Sequence, residues 1–337
     1  KLPKELLVMT MKYHQKYFPV SGPTGELMPH FITISNMIGD GGAEIKKGNE
    51  RVLKARLEDA RFFFEEDRKR TLEDFVEELK GVVFQKKLGT TYEKMTRFSA
   101  LAVNLAEKVC PDKKKHAERA AWLCKADLVS QMVYEFPELQ GIMGGYYAAA
   151  AGEAAEVVQA IKEHYRPAFA GDRLPDTAVG AVVAIGDKLD TILGCIGVGL
   201  IPTGSEDPYG LRRHALGIIQ IVLAKGWQFS FNALIDAGVK LLAQKIKLQP
   251  EEIRQHTLDL FSQRYKSLLT EEEHSYDAID AILSTGIDSL VDVKQKVIAF
   301  SNLKSLPHFE PLAIAFRRIV SILNEEAPGE IQTDLLE

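Results

Sequence analysis

At 337 residues the chain is too long for one small core and suits two or three domains. With 26% charged and 46% apolar residues it reads as an ordinary soluble globular protein. A formal net charge of −5 and a pI near 6.0 exclude a global basic field, so any nucleic-acid contact must come from local patches.

Cys110, Cys124 and Cys195 are widely spaced and form no CxxC, which excludes a disulfide framework and a zinc knuckle and fits a reducing cytoplasm. Asp187, Lys188 and Asp190 interrupt the one long apolar run, so no membrane span is expected. The chain starts at Lys1 without an initiator Met and reads as the middle of a longer protein.

Residues 1–36 are the expected β region. ELLVMTMKYHQKYFPV and LMPHFITISN flank the turn-rich SGPTGE, a hairpin pattern. His14 and His30 lie there among aromatics and read as structural histidines. Gly39, Gly41 and Gly42 mark a loop, because no GxxxxGK[ST] follows them. From 46 to 83 the pattern turns helical, with Leu72, Phe75, Val76, Leu79 and Val83 on one stripe. Further helices follow through Phe98, Leu101, Ala102 and Leu105, then Ala117, Ala120, Ala121 and Cys124, then Ala154, Val157, Val158 and Ile161. FPELQGIMGGYYA reads as a glycine-rich connector between the second and third of these.

Residues 175–213 carry the strongest pattern. An apolar helix through Val179, Val182, Val183, Leu189 and Ile196 must be buried nearly all round, yet it contains Asp187, Lys188 and Asp190. A buried carboxylate costs several kcal/mol unless a cation, a metal or good donors meet it. The Gly/Pro-rich loop IPTGSEDPYG then ends in Arg212 and Arg213 at the start of another helix. After a turn at Lys225-Gly226, helices are expected near 230–247, 251–268, 275–284, 289–304 and 311–324, with a frayed tail EEAPGEIQTDLLE. The expected fold is mainly α: multi-helix domains with a small β hairpin at the N-terminus.

The helical scaffold has the form of a metal-dependent HD-type phosphohydrolase. That class needs a His, a His-Asp pair and a distant Asp to hold divalent ions. Here Arg97 or Phe98 stands where the first His belongs and Cys124-Lys125 where the pair belongs, leaving Asp187 alone. A lysine in such a pocket repels a metal and pairs with the carboxylate instead. The expected pocket (Arg97, Cys124, Lys125, Asp187) is degenerate and metal-free. No GxSxG, HExxH or Rossmann glycine fingerprint is present. Asp187 and Asp190, at i and i+3, read as a structural ion-pair network with Lys188, Arg212 and Arg213 nearby.

The strings KYHQKYFPV, NERVLKARLEDARFFFEEDRK, VVFQKKLGT, CKADLVSQMVYEFPELQGIMG, GDKLDT and PTGSEDPYGLRRHALGIIQI resemble the β subunit of bacterial glycyl-tRNA synthetase of the two-subunit type. The resemblance runs from Lys1 to about Leu323. It implies a central fragment: 1–80 closing the N-terminal region, 81–225 an HD-like helical domain with a degenerate metal motif, and 226–337 a helical linker with the start of an anticodon-binding region. It further implies ligation of glycine to tRNA with ATP and Mg by an assembly of two α and two β subunits. The adenylate-forming site lies on α, so neither a catalytic residue nor a cofactor is expected in this chain. Membrane and DNA are not expected partners.

Phosphate contacts would come from basic patches and aromatic stacking surfaces. The candidates are Arg51, Lys54, Arg56 and Arg61; Lys86, Lys87, Lys94 and Arg97; Arg212 and Arg213, which a competing reading binds to Asp187 or Asp207; and Arg317 and Arg318. Two alternatives stay open: an independent HD-type phosphohydrolase, and a helical scaffold that contacts only the α subunit.

Overall fold

A computed structural model describes residues 2–36, 42–304 and 306–322. The fold is mainly α, with two small antiparallel hairpins among the described residues. The first helical turns, α1 (Lys4–Met9) continuing as a π-turn to His14, occupy the stretch expected to be a strand. Short apolar runs are ambiguous between the two states. Here Leu6 and Thr10, one turn apart, both point into the protein and are fully buried. The expected hairpin follows as β1 (Phe18–Ser21) and β2 (Leu27–Ile32), with Phe18 opposite Ile32. Tyr17 stacks on Phe31 at 4.7 Å and donates to Asn49 Oδ1 at 2.6 Å, docking this hairpin on the next helix.

That helix is α2 (Gly42–Asp67), separated from α3 (Leu72–Glu78) where one continuous helical region was expected. The break is made by Thr71, whose hydroxyl accepts from the Asp74 N–H while the Asp74 carboxylate accepts from the Thr71 N–H. VVFQKKLGT forms a second hairpin, β3 (Val83–Gln85) and β4 (Gly89–Thr90), which the helical reading of this stretch missed.

The body then runs through α4 (Thr91–Val109), α5 (Lys114–Leu123), α6 (Gln131–Glu135), α7 (Ile142–Ala150), α8 (Ala155–Glu163) and α9 (Ala178–Gly197). Helix α7 lies in the stretch expected to be a connector. Its glycines serve close packing: a Cβ at Gly144 would stand 3.1 Å from Asp127 Oδ2 and from Ile161 Cγ2. Helix α10 (Leu211–Lys225) stops at Gly226, whose φ of 63° is the left-handed cap that glycine accepts without strain.

Five helices complete the described chain: α11 (Phe231–Leu242), α12 (Pro250–Glu271), α13 (Tyr276–Leu283), α14 (Leu290–Lys304) and α15 (Phe309–Ile322). All five match expected helices within a few residues. Gly39, Gly41 and the tail from 325 onward lie outside the described residues.

Most buried side chains from Leu6 to Val297 form one connected core with α9 as its axis, and Met11, Tyr17 and Leu53 form a small second cluster against the first hairpin. Every residue from Val179 to Gly197 is buried. Where α9 meets α4, a Cβ at Gly186 would fall 2.8 Å from the Phe98 carbonyl oxygen. Only a missing side chain lets the two helices come this close, and that approach sets the geometry of the charges beside it.

Candidate functional site

Where α4 packs on α9, long cationic side chains of α4 reach two carboxylates that lie three residues apart on α9. Lys94 Nζ donates to Asp187 Oδ1 and, at 3.0 Å, to the Asp187 carbonyl. One turn on, Arg97 holds Asp190 bidentately, Nε to Oδ1 at 2.7 Å and Nη2 to Oδ2 at 3.1 Å. From the end of α5, Lys125 Nζ reaches the second Asp187 oxygen at 2.7 Å and lies 3.7 Å from the centre of the Tyr165 ring. All five charged groups are buried.

Burial acts to raise the Asp187 carboxyl, but Lys125 and Lys94 outweigh it and hold the group well below the usual carboxylate range. Asp187 is therefore ionised and satisfied by two ammonium groups.

This arrangement bears on whether the expected pocket could hold a metal. Lys94 and Lys125 bring positive charge against the one carboxylate that a metal could have used, so a divalent cation does not fit. Among the described residues, no group of three or more His, Cys, Asp or Glu is placed to hold a metal ion. Cys124 is fully buried, and burial pushes its thiol well up.

Lys94 and Arg97, named among the candidate phosphate contacts, are instead buried ion-pair partners, and Arg97 was also named in the expected pocket. The sequence carried a signal for this. Positions 94 and 97 sit one turn before Phe98 and Leu101, so they extend the buried stripe of α4.

The network was expected to involve Lys188, Arg212 and Arg213, and none of them joins it. Lys188 Nζ donates to the Tyr165 carbonyl at 3.0 Å. Asp207, the other proposed partner of the arginines, accepts the N–H groups of Leu211 at 2.7 Å and Arg212 at 3.0 Å, satisfying the start of α10. The Arg213 guanidinium contacts the Ala168 carbonyl at 3.4 Å and is exposed, while Arg212 is half-buried.

The other basic candidates are on the surface. Arg51, Lys54, Arg56 and Arg61 line the outer side of α2, where Lys54, Arg56 and Arg61 lie near Glu58, Glu135 and Glu65 at 3.8–3.9 Å. Lys86 and Lys87 are exposed at the β3–β4 turn, and Arg317 and Arg318 are exposed on α15. Phe84 meets Tyr209 at 6.3 Å between ring centres, which sets the β3–β4 turn beside the loop leading into α10. Basic groups more than a hundred residues apart in sequence thereby share one neighbourhood.

That neighbourhood opens into a cleft of about 530 Å³, lined by Phe84, Lys94, Lys125, Tyr165, Asp187, Lys188, Tyr209, Arg213 and His214 among others. Sequence reasoning named Asp187, Lys125 and Arg213 but missed His214 and the aromatic walls. These come from three separate stretches, around 84, 165 and 209–214, and share no common motif.

The fold and its centre define a helical scaffold in which two lysine ammonium groups neutralise a buried carboxylate. The family model for the glycyl-tRNA synthetase beta subunit matches residues 1–284, and the chain belongs to that family. A glycine–tRNA ligase beta subunit from Geobacter metallireducens is 51% identical over 337 residues, all of this chain and 49% of the relative. Its counterpart from Geobacter sulfurreducens is 50% identical over the same length and share. One from Trichlorobacter lovleyi is 50% identical over 326 residues, 96% of this chain and 47% of the relative. The chain spans about half the length of the curated relatives it matches.

Proposed function

We propose that this chain is a tRNA-recognising and assembly segment of a glycine–tRNA ligase β subunit, working in the cytoplasm with an α subunit that carries the adenylate-forming site. In this reading the assembled enzyme uses ATP with Mg, and this chain supplies no catalytic residue or cofactor. The supporting observation is the neighbourhood where Phe84 meets Tyr209. It sets the exposed Lys86 and Lys87 close to the loop that leads to Arg212 and Arg213. Exposed cations collected from two segments beside aromatic rings suit a phosphate backbone with splayed bases. The lysine-filled centre is compatible with this reading, since Lys94 and Lys125 already neutralise the Asp187 carboxylate.

The test is binding of the chain to glycine-specific tRNA and to an unrelated tRNA across a salt series. The reading expects a steep salt dependence and a preference for the glycine tRNA. Replacing Arg212 and Arg213 together by Ala should reduce the slope of log K against log[salt] by about 2 at unchanged melting temperature. A flat, weak signal for both RNAs, with tight capture of the α subunit, would make the segment a scaffold only.

A further inference from the structure

The cleft beside the buried cluster holds more positive charge than it needs for its own carboxylates. Its lining includes the cations Lys94, Lys125, Lys188 and Arg213 against the anions Asp187 and Glu138, an excess of two. Lys94 and Lys125 are committed to Asp187. Lys188 and Arg213 are not committed: among the described residues each meets a neutral carbonyl, Tyr165 at 3.0 Å and Ala168 at 3.4 Å, and no carboxylate.

Lys188 is 3% exposed, so its ammonium is desolvated with no carboxylate within ion-pair distance among the described residues. Such a group is costly to bury and favours an incoming anion. Burial first, then the neighbouring Lys125 and Lys94 against the attraction of Asp187, bring Lys188 down to about 8, so at neutral pH it is still mostly charged. A second group in the cleft wall lacks a partner. The Nδ1 atom of His214 is buried and has no hydrogen-bond partner. Burial, then Lys188, push this imidazole down to about 4, so it is neutral and in one tautomer offers Nδ1–H as a donor. Phe84 and Tyr209 stand at the same cleft, and its volume exceeds what a bare phosphate fills.

We propose that this cleft binds the phosphate group of a small phosphate monoester of about mononucleotide size. The dianion is held by Lys188 and Arg213 with His214 as a neutral donor, without a metal and without bond cleavage. The two positive charges in excess match the dianion, and the aromatic walls receive the organic part. This site does not depend on tRNA recognition, because its ligand is a single phosphate rather than a backbone. The phosphate can belong to a free nucleotide or to the 5′ end of an RNA.

Calorimetric titration of the whole chain at constant ionic strength in chloride, with inorganic phosphate, a nucleoside 5′-monophosphate and the bare nucleoside, tests it. Saturable binding of phosphate, tighter binding of the monophosphate and none of the nucleoside are expected. Arg213→Ala, at an exposed position that leaves the core intact, and Lys188→Met should each weaken binding at least tenfold. No saturable binding of either phosphate probe, affinities equal to the parent in both variants, or a nucleoside that binds as well as its monophosphate would each overturn the site. Competition assigns the source. Displacement by a 5′-phosphorylated oligoribonucleotide but not its 5′-hydroxyl form makes the phosphate an RNA end, and no displacement by either makes it a free small ester. Salt-sensitive binding of tRNA with no phosphate-ester binding would sink this proposal alone.

Discussion

Helix α2 and the contact between α4 and α9 use the same side chains to opposite effect. On α2, Lys54 with Glu58 and Arg61 with Glu65 lie four residues apart, at 3.9 Å, in open solvent. Water already stabilises such charges, so the pairs add little and can be lost without consequence. Between α4 and α9, Lys94, Arg97, Lys125, Asp187 and Asp190 are closed off from water. There each charge depends on its partner, and removing one leaves another stranded in a low dielectric. Ion-pair distance therefore does not rank these interactions, but burial does.

The comparison can be broken most sharply at Asp187. Asp187→Ala strands two buried ammonium groups and should cost about 3–5 kcal/mol of stability, measured by chemical denaturation. A loss under about 1 kcal/mol would mean that water reaches the cluster and that it belongs with the surface pairs. Next comes the helix approach that builds it. Gly186→Ala forces a methyl group against the Phe98 carbonyl and should cost about 1–3 kcal/mol, seen as a lower denaturant midpoint.

Lys188 provides the case of opposite sign. As a buried cation without a carboxylate, its replacement by Met should stabilise the fold by about 1–3 kcal/mol near pH 7. Lys188 has its folded value lowered from 10.5 to about 8. Below 8 both folded and unfolded forms carry the proton and the fold bears the full cost of the charge. Between 8 and 10.5 the folded state releases the proton first, so the parent gains stability with rising pH and the advantage of Lys188→Met shrinks. An advantage that stays constant from pH 7 to 10.5 would contradict this. The smallest effect is expected on α2, where Arg56→Ala should change stability by less than about 0.5 kcal/mol. Its exposed pair with Glu135 spans 3.8 Å. Any larger loss would show that the surface pair is structural after all.

How much of this could be read in advance follows the same division. The long helices from α9 onward were legible because their apolar spacing persists over three or more turns, as with Ile253, Leu260, Phe261 and Leu268 on α12, although Leu269 rather than Leu268 is the fully buried residue at its end. Residues 4–14 and 142–150 were misread because short apolar or glycine-rich stretches do not carry a period long enough to decide. In the candidate site, the sequence flagged Asp187 and Lys125 as a degenerate pair, and the structure joins them. It placed Arg97 in the same pocket but did not reveal that Arg97 pairs with Asp190, that Lys94 is a buried companion, or that Lys188 faces away from the acids beside it in the chain.

The sequence by itself determined a mainly helical protein, a terminal hairpin, the apolar axis around 178–197 and the family of the chain. These depend on local periodicity and on runs of residues read in order. The tertiary structure decided which charges meet. A cation's partner depends on the rotation and closeness of two helices some ninety residues apart, fixed here by a glycine at position 186 that no local rule marks as a contact. Whether a lysine ends as a solvated surface charge, a core counter-ion or an uncommitted ammonium in a cleft depends on its burial and partners, and those exist only once the chain has folded.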